Sequence, residues 1–134
     1  MGSIQAPDAV MMVRPAMFRY NEQTAVSNAF QEESGISDNL ARELAIKEFD
    51  GLVHVLKENG VNTIVFNDFV ITYTPDAVFP NNWIAFMPDG SVWLFPMEAD
   101  NRRMERRMDI PESLRDEYGF VINRIEDISE NELK

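Results

Sequence analysis

Residues 74–98 read TPDAVFPNNWIAFMPDGSVWLFPME, and the side chains here most able to do chemistry are Asp76 and the adjacent amides Asn81 and Asn82. Strands are poor in asparagine because its short amide competes for backbone hydrogen bonds. A pair at the mouth of an apolar run therefore marks a turn, a cap or a binding site. An amide both donates and accepts, whereas a carboxylate only accepts, so Asp76 either forms the turn after Pro75 or holds the amide pair in place. Arg14 closes an earlier apolar run, at the kind of strand end where α/β proteins place ligands; an ordinary salt bridge is the equal alternative. The segment NRRMERR gathers four of the twelve basic residues and reads as a solvated or ion-paired helix start, or else as a carboxylate-binding patch.

Composition removes other chemistries. The chain has no cysteine and a single histidine, His54, which excludes disulfides, a thiol nucleophile and a Cys/His metal site within these 134 residues. His54 lies in GLVHVLK and reads as a helix-face residue rather than a proton shuttle, and no G-x-S-x-G elbow is present. What remains is carboxylates, amides, arginines and hydroxyls, with neither metal nor cofactor expected. Twelve basic against 23 acidic residues give a formal charge of −11, which opposes nucleic-acid backbones and anionic lipid surfaces. No window approaches the roughly 18 apolar residues of a membrane span, and MGSIQAPDAV lacks the order of a secretory signal, so a cytoplasmic address is the expectation.

The elements that must position these residues are legible from patterning. The run DAVMMVR predicts a strand over residues 8–14, and the polar stretch 20–35 a long loop with one helical turn near 25–30. Ser37 or Asp38 caps a helix carrying Leu40, Leu44, Phe49, Leu52, Val53 and Leu56 toward a sheet, and Asn59-Gly60 ends it. VNTIVFND predicts the next strand, parallel to the first. FVITYTPDAV reads as a short strand or an extended loop. Pro88-Asp89-Gly90 supplies the turn of a hairpin whose Trp83 and Trp93 are core residues rather than ligand platforms. One helix, or two broken at Pro111 with Ser113 near the second start and Gly119 as the stop, precedes a last strand in FVINRIEDIS and an acidic tail.

Three stretches, VRPAMFRYNEQTAVSNAFQ, TPDAVFPNNWIAFMPDGSVWLFPMEADNRRMERR and DIPESLRDEYGF, together resemble the N-terminal part of bacterial amidinotransferase-related proteins. These include the citrulline-hydrolase type and belong to the guanidine-modifying (pentein) superfamily. The resemblance covers most of the chain and implies an α/β propeller of repeated ββαβ units around a narrow channel. It is incomplete here, with a first unit over residues 1–98 and the start of a second, with its acidic tail, over 99–134. It also implies a cysteine-dependent hydrolase or amidino transferase acting on an arginine- or citrulline-like small molecule. In relatives the catalytic histidine lies in the second half, the cysteine near the C-terminus and an acidic partner in a FLEG-like motif. The expectation is thus an N-terminal portion that carries no catalytic residue and is inactive alone.

The same resemblance sets Phe79-Pro80-Asn81-Asn82 against a Phe-x-x-Asp strand mouth whose aspartate clamps the substrate guanidinium, so Asn82 stands where the acid stands. An amide there suits a neutral ureido group better than a full cation. The expected substrate-binding set is Asn82, Asn81, Asp76 and Arg14, supported by Arg103 and Glu105 as a recurring Arg-x-Glu feature. Asn21 and Asn28 fall in a loop resembling a family motif, without an assigned duty. Two other function classes are compatible with the residues: a non-catalytic binding or assembly module that kept the fold, and a small unrelated α/β domain that binds a protein partner through its hairpin. A cut propeller would leave strand edges and an apolar flank uncovered, which predicts self-association.

Overall fold

The computed structural model of the protein describes residues 6–28 and 35–131. Strand β1 (Ala9–Arg14) pairs in parallel with β2 (Asn62–Asn67), in register from Ala9 opposite Asn62 to Arg14 opposite Asn67. Between them come a short turn of helix, α1 (Glu22–Ala25), and the long helix α2 (Asp38–Glu58). The helical turn falls earlier than the 25–30 expected, because the Asn21 side chain accepts the Gln23 N–H at 3.1 Å and so starts the helix there. The far end of that expected turn, and residues 132–134 of the acidic tail, lie outside the described residues.

Helix α2 has the ends its sequence predicts. The Ser37 hydroxyl accepts from the Leu40 N–H at 3.3 Å, and Gly60 follows the Asn59 cap with φ +78°. Its packing is thinner than expected: Phe49 is buried, while Leu40, Leu44, Leu52 and Val55 remain exposed. Geometry explains this. A helix of 21 residues is about 30 Å long, whereas two strands of six residues span about 20 Å and are one strand spacing wide.

The stretch FVITYTPDAV is a loop of turns rather than a strand, ending in a 3₁₀ turn at Pro80–Asn82. Strands β3 (Ile84–Phe86) and β4 (Ser91–Leu94) then form the expected antiparallel hairpin. Asp89 organises its turn by accepting the Ser91 N–H at 2.9 Å and the Ser91 hydroxyl at 2.6 Å. The helical region is broken before Pro111, not at it, into α3 (Asp100–Arg103) and α4 (Asp109–Asp116). Pro111 sits in the first turn of α4, where its missing N–H would have had no helical partner, so it is tolerated there. Ser113 is accordingly mid-helix, donating its hydroxyl to Glu117 at 2.8 Å, and Gly119 (φ +74°) follows the end of the helix. Strand β5 (Arg124–Asp127) pairs in parallel with β4, giving the sheet order β3-β4-β5, which draws on residues from both sides of position 98.

The core lies between the two small sheets and α4. Val13, Ile64, Trp83, Ile84, Val92, Leu94, Ile110 and Leu114 form one buried cluster. Trp83 is thus a core residue, and Trp93 is half-buried with its indole N–H on the Ser91 hydroxyl at 3.1 Å. No helix among the described residues is long and apolar enough to cross a membrane.

Two glycines separate backbone strain from propensity. Gly90 has φ +81°, and a Cβ there would stand 2.6 Å from Asn123 Nδ2, so Gly90→Ala should destabilise the chain by about 1–3 kcal/mol. Gly51 lies inside α2 with open space around it, so Gly51→Ala should stabilise by roughly 0.5–1 kcal/mol. Urea unfolding of both variants checks the opposite signs.

Candidate functional site

The site is assembled from three segments that are distant in the chain. The loop after β2 brings Thr74, Pro75 and Ala77 into the interior, with the Thr74 hydroxyl donating to Asp68 at 2.8 Å. That anchoring presents the Asp76 carboxylate at the edge of a cleft. Asn21, 1% exposed, donates its side-chain amide N–H to Asp76 Oδ2 at 2.6 Å and to Asn101 Oδ1 at 3.2 Å. Asn101 returns a bond from its own amide to the Asn21 oxygen at 2.8 Å, and its backbone N–H reaches Gln23 Oε1 at 3.0 Å. The N-terminus of α1, the Asp76 loop and α3 are thereby tied through buried amides.

Arg102, next in α3, donates from Nε and Nη2 to both oxygens of Glu105, each at 3.1 Å, and its Nε lies 3.9 Å from Asp76 Oδ2. Burial pushes the Glu105 carboxyl up to about 7 despite the bonds from Arg102, and the charges of Asp76 and Asp68 add to the rise. Asp68 is also raised, chiefly by burial.

These segments line a cleft of about 810 Å³. Its wall includes Gln23, Thr24, Asp76, Phe79, Asn82, Glu98, Asp100 and Arg102. Asp76, Glu98 and Asp100 are the acidic residues of this lining and Arg102 its one basic residue; Glu105 already engages the Arg102 guanidinium, and Arg103 pairs with Asp100. The cleft therefore offers hydrogen-bond acceptors and a negative field to a small polar cation.

The expected binding set is only partly brought together. Asp76 and Asn82 share the cleft wall, but Asn81 lines a different groove with Pro7, Pro80 and Phe86. Successive residues of a 3₁₀ turn point about 120° apart, so the two amides diverge. Arg14 lies outside the cleft, forked onto Asp50 of α2 at 2.8 Å in both bonds, which holds the Asp50 carboxyl below its usual range. Arg103 is exposed and braces the cleft wall from outside, donating to the carbonyls of Met97 at 2.8 Å and Glu98 at 3.0 Å and to Asp100 at 2.8 Å. The partner of Glu105 is Arg102, three residues before it. Sequence reasoning missed Arg102 and Asn101. NRRMERR offers four arginines of equal appearance, and only the direction of the α3 turn selects among them.

Fold and cleft together define an α/β protein with an anionic pocket of small-molecule size. Residues 14–134 match the model of the family described as N,N dimethylarginine dimethylhydrolase, eukaryotic, and the chain belongs to that family, within the pentein superfamily. No curated protein and no solved structure was found to match the chain.

Two measurements test the buried polar network. Because the folded state raises the Glu105 pKa from 4.5 to about 7, its contribution to stability is complete below about 4.5 and lost as pH rises through about 7. Unfolding free energies of the chain relative to Glu105→Gln, taken at intervals from pH 4.5 to 8, should show that decline only where Glu105 is present. For the amide pair, Asn21→Ala should cost about 1–3 kcal/mol by orphaning Asn101. Adding Asn101→Ala should cost less than the sum of the single changes, as a double-mutant cycle in urea would read.

Proposed function

We propose that the chain supplies the substrate-gripping part of a hydrolase acting on the guanidino group of an arginine derivative. The observation that carries the reading is the Asp76 carboxylate, held by Asn21 at 2.6 Å on the wall of an acidic cleft, in a chain that belongs to a dimethylarginine-hydrolase family. A guanidinium presents N–H donors in a plane, and fixed carboxylate acceptors orient it while neutralising its charge. Breaking its resonance-stabilised C–N bond needs a strong nucleophile such as a thiolate and a proton donor for the departing amine. These 134 residues contain no cysteine, and His54 is exposed on α2 beside Glu58, outside the cleft lining. The nucleophile and proton donor therefore belong to polypeptide outside this chain, and the chain alone binds without turnover.

The strand order supports a propeller reading. The antiparallel β3-β4 pair, helices α3 and α4, and the parallel strand β5 follow the ββαβ pattern that the resemblance implies. In this reading one ββαβ stretch runs from β3 to β5, over residues 84–127.

Two other readings rest on specific observations. The Asn82 amide on the cleft wall, able to donate and accept, suits a neutral citrulline-like group. The exposed Leu40, Leu44, Leu52 and Val55 along α2 suit a non-catalytic assembly module that self-associates. Calorimetric titration with dimethylarginine, arginine and citrulline separates the three. The main reading expects the cations to bind, and Asp76→Asn to weaken them roughly tenfold or more. Binding of citrulline alone supports the Asn82 reading, and no binding by a chain that sediments as an oligomer supports assembly.

A further inference from the structure

Glu105 has no part in the chemistry proposed above, yet it is the one carboxylate among the buried polar residues described. Its side chain is 1% exposed and accepts two bonds from Arg102, whose own side chain is 14% exposed and lines the cleft. The Nε atom that donates to Glu105 at 3.1 Å is also the atom 3.9 Å from Asp76 Oδ2. One guanidinium therefore stands between a buried carboxylate and a cleft carboxylate, within bonding distance of the first and beyond it from the second.

This arrangement bears on what the cleft can hold. With its charge matched by Glu105, Arg102 repels an incoming cation weakly and leaves to the ligand the acceptor capacity of Asp76 that the Asn21 bond to Oδ2 does not use. With Glu105 neutral, one of its oxygens becomes a donor, the fork is lost, and the unmatched guanidinium is drawn to Asp76. We propose that Glu105 is a positioning residue that holds Arg102 off Asp76, and that its protonation lets Arg102 neutralise Asp76 and weakens binding of a guanidinium ligand. This inference rests on the reading of the cleft as a guanidino-group site.

The charged groups facing Glu105 fit such a switch. Arg102 faces it from its own segment, Asp76 from the loop before the 3₁₀ turn, and Asp68 from the end of β2. Asp68 is bonded by Thr74, and Arg107 near it is engaged by Asp109 at 2.6 Å and by the Asn67 carbonyl at 2.7 Å. Arg102 is thus the cation that responds when Glu105 gains or loses its proton. Burial sets that event near neutral pH rather than in the acid range of an exposed glutamate.

Arginine and citrulline serve as probes, because they share an α-amino acid part that keeps one charge state between pH 6 and 8 and differ in the charge of the side-chain group. Titrated into the full chain, arginine should bind about fivefold or more tightly at pH 8 than at pH 6. Any affinity for citrulline should change less. In Glu105→Gln arginine affinity should be flat over that range and below that of the unmodified chain at pH 8. A merely structural role would lower the melting temperature of the variant and leave the arginine slope in place. A second measurement needs no variant: the Glu105 carboxyl ¹³C midpoint of the unmodified chain should fall on adding arginine and stay put with citrulline. An equal pH slope in Glu105→Gln, or a Glu105 midpoint that arginine does not move, overturns the inference while leaving the site reading intact. A folded chain that binds arginine at neither pH overturns both.

Discussion

The exchange of hydrogen bonds between the buried amides of Asn21 and Asn101, 80 residues apart, is the contact on which the cleft depends. Each such bond contributes only about 0.5–1.5 kcal/mol net, because water would satisfy the same groups in the unfolded chain. The larger quantity is the penalty for leaving one partner buried and unpaired, about 1–3 kcal/mol. That asymmetry makes the pair specific. Few alternative placements of α3 against the start of α1 would satisfy both amides, the Gln23 acceptor and the Asp76 carboxylate together.

Electrostatics then divides into parts of unequal weight. The pairs Arg14–Asp50, Arg115–Asp116 and Arg124–Asp89 sit on the surface, where side-chain entropy and screening reduce an ion pair to about 0–1 kcal/mol. The Arg102–Glu105 pair is largely withdrawn from water, and there the cost of dehydrating a carboxylate competes with the attraction of the guanidinium. Burial wins for Glu105, whose carboxyl is pushed up to about 7 despite the two bonds from Arg102. The net charge of −11 adds a general attraction for cations, and the cleft carboxylates concentrate it where Asp76 is fixed.

Local signals in the sequence carried much of the fold. The start of α2 was legible from Ser37 because a hydroxyl at that position satisfies an otherwise unpaired N–H, and its end from Asn59-Gly60 because glycine accepts a positive φ. Pro88-Asp89-Gly90 announced the hairpin for the same local reason. The site was less legible. Asp76 and Asn82 line one cleft, but Arg14 sits in a surface pair, Asn81 lines another groove, and Glu105 is bonded by Arg102, a residue that the sequence did not single out. Each of these outcomes depends on which way a short turn points, and one-turn elements such as α3 and the Pro80–Asn82 turn are too short for periodicity to reveal it.

By itself the sequence determined which chemistries this chain can take part in, since lacking cysteine and having one histidine leaves carboxylates, amides, arginines and hydroxyls. It also determined the longer elements, because caps, turns and apolar spacing act over a few residues. Only the tertiary structure decided which polar groups meet. Asn21, Asp76 and Asn101 are brought together by the closing of two small sheets and α4 around Trp83 and its neighbours, and a buried polar group takes whatever partner that closure delivers.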